Sequence, residues 1–320
     1  MVQHYNYTPD FWHYFRGFLP SDIDLVVSLA PSKVEADARA LTDYFGMRIH
    51  PSNEPSVAGR LGEVITKPPF PSDSWLAEAV EYVGLALALK HAHGGFTAVE
   101  LGAGFAPWLG LSAILARRKG LGPVSITGVE GDAERAASMR NHLAYNRLLP
   151  HDAEMVGSYD GLSWDLRHAV IWDEDGDALF PTTGIADSGG QAIDTDKSAS
   201  VDYRGADTAH VRVPAVTLET LLKDKSLIDF VHIDIQGAEF NVLNRSVGFV
   251  SERVKFMMVA THSRLLEGAI QSILFDNGWF LEREEVAHVV PRPNPPSIEA
   301  LTWRDGGQVW RNLRFSEIGS

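Results

Sequence analysis

The run IDIQGAEFNVL places Asp234 inside an apolar stretch and Glu239 just past Gly237, where a strand gives way to a helix. A carboxylate at a strand end facing a crevice is costly to bury without a partner, so Asp234 is read as functional. The alternative is a structural acid held by nearby backbone amides. Glu239 falls in the first helical turn, where the helix dipole alone accounts for an acid. Contact with a substrate or the cofactor is the competing expectation. Further on, THSR sets His262 at another strand end and Arg264 two residues later. Histidine is the commonest side chain for taking a proton near neutral pH, so His262 is the candidate general base. Arg264 can bind an acidic or polyhydroxyl molecule, or pair with a surface acid. Asp234, Glu239 and His262 are also donors that Mg²⁺ accepts, with Gln236 a weak fourth. One strand-turn-helix seldom aims all of these at one point, so no metal is expected.

A second constellation lies upstream. VELGAGFAPWLG puts Glu100 at a strand end, followed by Gly102 and Gly104. Glycines there permit a tight turn and close backbone approach to a ligand. The third glycine of a dinucleotide fingerprint is replaced by Pro107, which suits the first turn of a helix but removes the usual pyrophosphate turn. GVEGD then places Glu130 at the end of the next strand, positioned to accept from both hydroxyls of a ribose; its alternative is a favourable charge opening the next helix. A nucleoside site without a third glycine or a phosphate-binding lysine points to S-adenosylmethionine, whose sulfonium and amino groups are cations. Glu100 is expected near the amino end, or else as a buried acid bonding turn amides.

These residues need elements to hold them. FTAVEL, VSITGVE, IDFVHIDI and VKFMMVATHS read as buried strands; WLGLSAILARRKG, AERAASMRNHLAYNRL, TLETLLKDK, AEFNVLNRS and EGAIQSILFDNG read as helices. Continuous apolar strands alternating with amphipathic helices imply a parallel sheet covered on both faces. SWLAEAVEYVGLALALKHA is a further helix with Ser74 as its expected N-cap. AEMVGSY and HAVIWDEDGDALF read as strands, the latter as a hairpin about its D-E-D-G turn, and a closing hairpin is expected around the D-G-G near the C-terminus. Residues 186 to 210 are polar and poor in large apolar side chains, either a solvated insertion or a lid. His232 faces the opposite side of its strand from its neighbours and is read as sheet-face packing.

The net charge of −14 repels phosphate backbones, so a nucleic-acid partner is not expected. The chain has no cysteine, which removes disulfides and thiolate metal sites and fits a cytoplasmic location. No stretch is apolar for long enough to suggest a membrane span, and the first residues lack the pattern of a secretory signal.

With SDSWLAEAVEYVGLALAL, VELGAGFAPWLG, GVEGDAERAASMRNHLAYN, HAVIWDEDGDALF, VTLETLL, IDFVHIDIQGAEFNVL and ATHSRLLEGAIQSILFDNGW together, the chain resembles the FkbM family of class I methyltransferases over about residues 72 to 282. Gln236 is a departure, the pattern having an acid there. The resemblance implies an α/β, Rossmann-like fold with a mostly parallel central sheet and helices on both faces. It would form a cofactor-binding domain over residues 71–320, preceded by a helical and irregular extension over 1–70 available for substrate or subunit contacts. It implies O-methylation of a hydroxyl on a sugar or natural-product small molecule, with Glu100, Gly102, Gly104 and Glu130 holding S-adenosylmethionine. The adenine contact falls at the end of the third strand, at Tyr159-Asp160 or at His168-Ala169. A nicotinamide-dependent oxidoreductase and a silent cofactor-binding protein are the competing readings. A homo-oligomer is compatible with all three.

Overall fold

In the computed structural model the described residues are 16–182, 189–195, 209–295 and 297–315. The chain runs α1 (Pro20–Val27), α2 (Ala79–Lys90), β1 (Phe96–Leu101), α3 (Pro107–Arg118), β2 (Val124–Glu130), α4 (Ala133–Tyr145), β3 (Val156–Tyr159) and β4 (Leu162–His168). It continues through β5 (Val170–Ile171), β6 (Gly176–Pro181), β7 (His210–Val216), α5 (Leu218–Leu222), β8 (Ile228–Ile233), α6 (Glu239–Arg253), β9 (Val254–Thr261), α7 (Arg264–Asp276), β10 (Trp279–Glu285) and β11 (Gly306–Asn312).

The central sheet has eight strands in the order β10-β11-β9-β8-β1-β2-β4-β3. The five strands from β9 to β4 are parallel, and β11 and β3 are antiparallel to their neighbours. The apolar runs read as buried strands are buried on both faces: α2, α3 and α4 pack on one side and α5, α6 and α7 on the other. This is a doubly wound α/β sheet. From β1 the chain winds outward through β2 and β4, then returns to start β8 on the other side of β1. That reversal opens a crevice at the carboxyl ends of β1 and β8, the place where such sheets bind ligands.

Four expectations change. Ser74 does not cap α2; it sits at φ 68°, and the helix begins at Ala79 with Glu81 accepting from the Glu78 amide at 3.2 Å. Asp73 instead accepts from the amides of Trp75, Leu76 and Ala77, winding a turn ahead of the helix. The DEDG hairpin does not form, because β7 lies between β5 and β6 in a separate three-stranded sheet. The hairpin around DGG does not form either: Thr302–Arg304 pairs with His288–Val289, while β11 inserts between β9 and β10. The third parallel strand is β4, a segment whose alternation of Leu162, Trp164 and Leu166 inward marks a half-buried strand.

Residues ahead of α2 share the core of the sheet. Leu41, Phe45, Met47 and Ile49 join the same apolar cluster as α2 and α3, and Asp22 accepts from Nε and Nη2 of Arg283 on β10 at 2.5 and 2.8 Å. No helix among the described residues is long and apolar enough to cross a membrane.

Candidate active site

Three strand ends are stitched together where the crevice opens. The amides of Gly102 and Ala103 donate to Val129 O at 3.0 and 2.9 Å, and the Asp234 amide donates to Leu101 O at 2.9 Å. Gly102 holds φ 74°, and a methyl group on it would lie 1.7 Å from Asp234 O. Only glycine lets β1 turn so close to the end of β8.

The first cavity lies above this junction. Gly102, Gly104, Glu130, Ala169, Phe180 and Asp234 are among its lining. Of the two places considered for the third strand's contact, Ala169 lines the cavity, while Tyr159 and Asp160 sit at the opposite end of β4 beside Pro123. His168 turns away and bonds Gly131 O at 3.0 Å. Glu130 accepts from the Gly104 and Asp132 amides, each at 2.7 Å, so it fixes the glycine turn as well as facing the cavity. Burial pushes its carboxyl up from the usual range against those two donors. Glu100 is buried, accepts from the Trp108 and Leu109 amides at 3.3 and 2.9 Å, and is outside the lining. Burial raises its pKa well above the ordinary carboxylate value. Its visible task is to cap α3.

The expected lid, residues 186 to 210, lies outside the described residues except for 189–195 and 209–210. Within the described part, Ile193 pairs with Leu179 of β6. Gln191 packs on Gly237: a methyl group there would meet its Nε2 at 2.5 Å. Phe180 closes over Gly131 and Gly190 in the same way, at 2.6 and 2.8 Å. These wall residues carry no sequence signal beyond an aromatic in a short strand.

Asp234, Glu239 and His262 converge. His262 Nε2 lies 3.2 Å from Asp234 Oδ1 and 4.0 Å from Asp305 Oδ2, and Nδ1 lies 3.1 Å from Glu239 Oε1. Among the described residues neither nitrogen makes a well-aligned hydrogen bond, so these are charge contacts. Burial would depress the imidazole, but the charge of Glu239, joined by Asp234, holds it well above its ordinary value. Burial would likewise raise Asp234, but the close contact and positive charge of His262, with the Gln236 hydrogen bond, hold it below its ordinary value. Gln236 Nε2 donates to Asp234 Oδ1 at 2.7 Å. Glu239 is fully buried and accepts from the Ile235 and Gly237 amides. It lines neither of the two cavities at the crevice, and neither does Arg264, which donates to Ala287 O at 3.2 Å. Ligand atoms of the three clustered residues lie within 4.8 Å of one another, a span that suits a cation. The two carboxylates face opposite ring nitrogens, however, so one ion cannot take the imidazole and keep both contacts.

A second cavity, of about 420 Å³, adjoins the first, and Asp234 lines both. Its walls come from the Asp73 turn (Ser74 to Glu78), from Glu81, from Glu285, and from Arg304, Asp305 and Gly306. None of these was legible as a site, because the segments are distant in sequence and each alone reads as a turn or a strand end.

The first cavity is lined by acids and apolar side chains. Glu130, Asp132 and Asp234 face it against one guanidinium, Arg135, with apolar walls at Val170, Ile171 and Phe180. Three carboxylates repel a pyrophosphate and favour a cation. Fold and site together define a Rossmann-like methyltransferase. The chain belongs to the FkbM methyltransferase family: the pattern described as "Methyltransferase FkbM domain" matches residues 103–285. A protein of Jannaschia sp. (strain CCS1), named "Putative methyltransferase", is 29% identical over 268 residues, covering 82% of this chain and 90% of the relative. Among solved structures, the chain is similar to a precorrin-6y C5,15-methyltransferase from Geobacter metallireducens GS-15 (12% identity, TM-score 0.38, 73% of this chain and 86% of the other). It is also similar to a ribosomal protein L11 methylase from Lactobacillus delbrueckii subsp. bulgaricus (13% identity, TM-score 0.34, 72% and 77%).

Proposed function

We propose that this protein is an S-adenosylmethionine-dependent O-methyltransferase acting on a hydroxyl of a sugar or natural-product small molecule. The observation that carries the reading is Asp234, which lines both cavities and is backed by the buried His262. The cofactor belongs to the first cavity, held by the backbone at Gly102 and Gly104, by Glu130 and by the apolar wall at Ala169. When bound, it supplies a methyl group on a sulfonium. The acceptor belongs to the second cavity, and its hydroxyl faces Asp234 at the junction.

The residues then divide the work. Holding the acceptor oxygen in line with the methyl group supplies much of the acceleration. Asp234 is ionised because His262 is a cation beside it, so it accepts the hydroxyl hydrogen and takes the proton as the carbon–oxygen bond forms. A depressed pKa makes it a weak base, which suffices when the proton leaves late. His262, expected as the base, is assigned the positioning of Asp234 instead: an imidazolium flanked by two carboxylates has no free nitrogen for a proton. Glu239 holds His262 and the turn.

The test is a melting curve with S-adenosylhomocysteine followed by a methyl-transfer screen. The ligand should raise the melting temperature by mass action, and hydroxylated acceptors should release it from S-adenosylmethionine. A melting temperature that stays flat at millimolar ligand would remove the cofactor assignment.

A further inference from the structure

The second cavity is acidic out of proportion to the work so far assigned to it. Glu78, Glu81, Asp234, Glu285 and Asp305 line it, against His262 and Arg304. Fully ionised, that lining leaves three uncompensated negative charges in about 420 Å³. Arg304 is already committed, since its Nη2 contacts both Glu78 and Glu285 Oε1, the latter at 3.1 Å. Glu81 is committed to His232 at 2.9 Å. Glu285 is 5% exposed, and its second oxygen, Oε2, has no hydrogen-bond partner among the described residues. A buried carboxylate oxygen left unpaired costs free energy that a ligand donor recovers. Trp75 lines the same cavity. An aromatic ring among carboxylates is a recurring receptor for an ammonium group.

We propose that the acceptor is a cation: a hydroxylated molecule bearing a protonated amine, with the ammonium group at Glu285 and Trp75 and the hydroxyl to be methylated at Asp234. This rests on the reading of the second cavity as the acceptor site. A neutral polyol offers hydroxyl donors to the same carboxylates but leaves their charge uncompensated, whereas an ammonium group supplies both donors and charge. The titration of the lining agrees. Burial, with the charges of Glu78 and Glu81, pushes Glu285 up to about 7 despite Arg304 and Arg16. Partial desolvation and the charges of Asp234 and Glu239 raise Asp305 despite His262 and despite its half-exposed side chain. A cavity that resists its own ionisation in this way gains most from a bound cation.

The experiment uses the full chain saturated with S-adenosylhomocysteine, at about pH 8 where a primary amine is protonated. Matched probes are titrated by calorimetry: ethanolamine against ethylene glycol, and 6-amino-6-deoxyglucose against glucose. The amine of each pair should bind about tenfold more tightly, the gain of one charge-assisted hydrogen bond. E285Q, which keeps the shape of the side chain, should cut that preference to about threefold or less without moving the melting temperature. If E285Q melts early, W75L, which removes the aromatic face, provides the same comparison. Equal affinity within each pair, or no binding by either amine, overturns the proposal. So does Mg²⁺ that binds alone in this cavity and erases the preference, because the cation would then be a metal. Failure of S-adenosylhomocysteine to bind is scored separately, against the cofactor site.

Discussion

Gln236 holds φ 56°, a left-handed conformation rare for a side chain of its size, and from there its amide reaches Asp234. The resemblance implies an acid at this position, so a glutamine there changes what Asp234 experiences. A second carboxylate there would repel it, whereas the amide hydrogen bond favours its ionised form. Gln236→Glu should therefore move the acidic limb of the pH–rate profile to higher pH; an unmoved limb would show that Asp234 does not control it. Asp234→Asn should lower single-turnover methyl transfer by about 10²–10⁴-fold while S-adenosylhomocysteine affinity stays within a few-fold. EDTA should leave transfer intact, and rescue by added Mg²⁺ after a loss would assign the cluster to a metal. The pair also predicts a stability profile. His262 has a raised folded pKa, so its contribution is full below its ordinary value of 6.5 and is lost as pH rises through the folded value. Asp234 has a depressed folded pKa, so its contribution is present above its ordinary value of 3.8 and is lost as pH falls below it. In urea denaturation, the difference between wild type and His262→Gln should shrink from neutral to alkaline pH. A constant difference would show that His262 is not charged.

At the scale of elements, the turn between β1 and α3 is constrained by contact as well as by conformation. Gly102→Ala meets Asp234 O, whereas Gly120, at φ 75° with nothing within 4 Å, feels only the conformational penalty. Gly120→Ala should cost about 1–2 kcal/mol. Gly102→Ala should cost clearly more and abolish S-adenosylhomocysteine binding, because β1 and β8 must part. Equal denaturation midpoints for the two variants would contradict the close approach. The same elements show what the sequence makes legible. β1, β2, β8 and β9 are continuous apolar runs, so their existence and the positions of Gly102, Glu130 and Asp234 at their ends follow from pattern alone. β7 is hidden by Pro214, a residue that argues against an inner strand. It is tolerated because the two-residue β5 pairs only with Ala215 and Val216, leaving that side of Pro214 open. The second cavity was illegible for a different reason. Its walls come from the turn before α2, the end of β10 and the entry to β11, and no local spacing reports that three distant segments meet.

The whole molecule is held by ties between its first described elements and its last strands. Asp22, at 4% side-chain exposure, accepts from the Leu19 amide at the start of α1 and from Nε and Nη2 of Arg283 on β10, whose side chain is 13% exposed. Beside it, Phe18 packs edge-on to Phe70 with ring centroids 4.9 Å apart, and the backbone at Arg16 forms an isolated antiparallel bridge with that of Glu285, which lines the second cavity. The residues ahead of α2 are therefore part of the scaffold that sets the acceptor wall. Losing one partner of a buried ion pair strands the other charge, typically at about 3–5 kcal/mol. Asp22→Ala should lower stability by that order in urea denaturation. In the fraction that remains folded, the change should reach Glu285 through the strand that carries Arg283, weakening acceptor-side binding while S-adenosylhomocysteine binds as before, since no residue of the first cavity comes from α1 or β10. Calorimetry of the two ligands on one preparation of the variant separates these effects. Loss of both affinities in parallel would mean that the tie supports the fold as a whole, and an unchanged stability would mean that the pair is solvent-screened despite its burial.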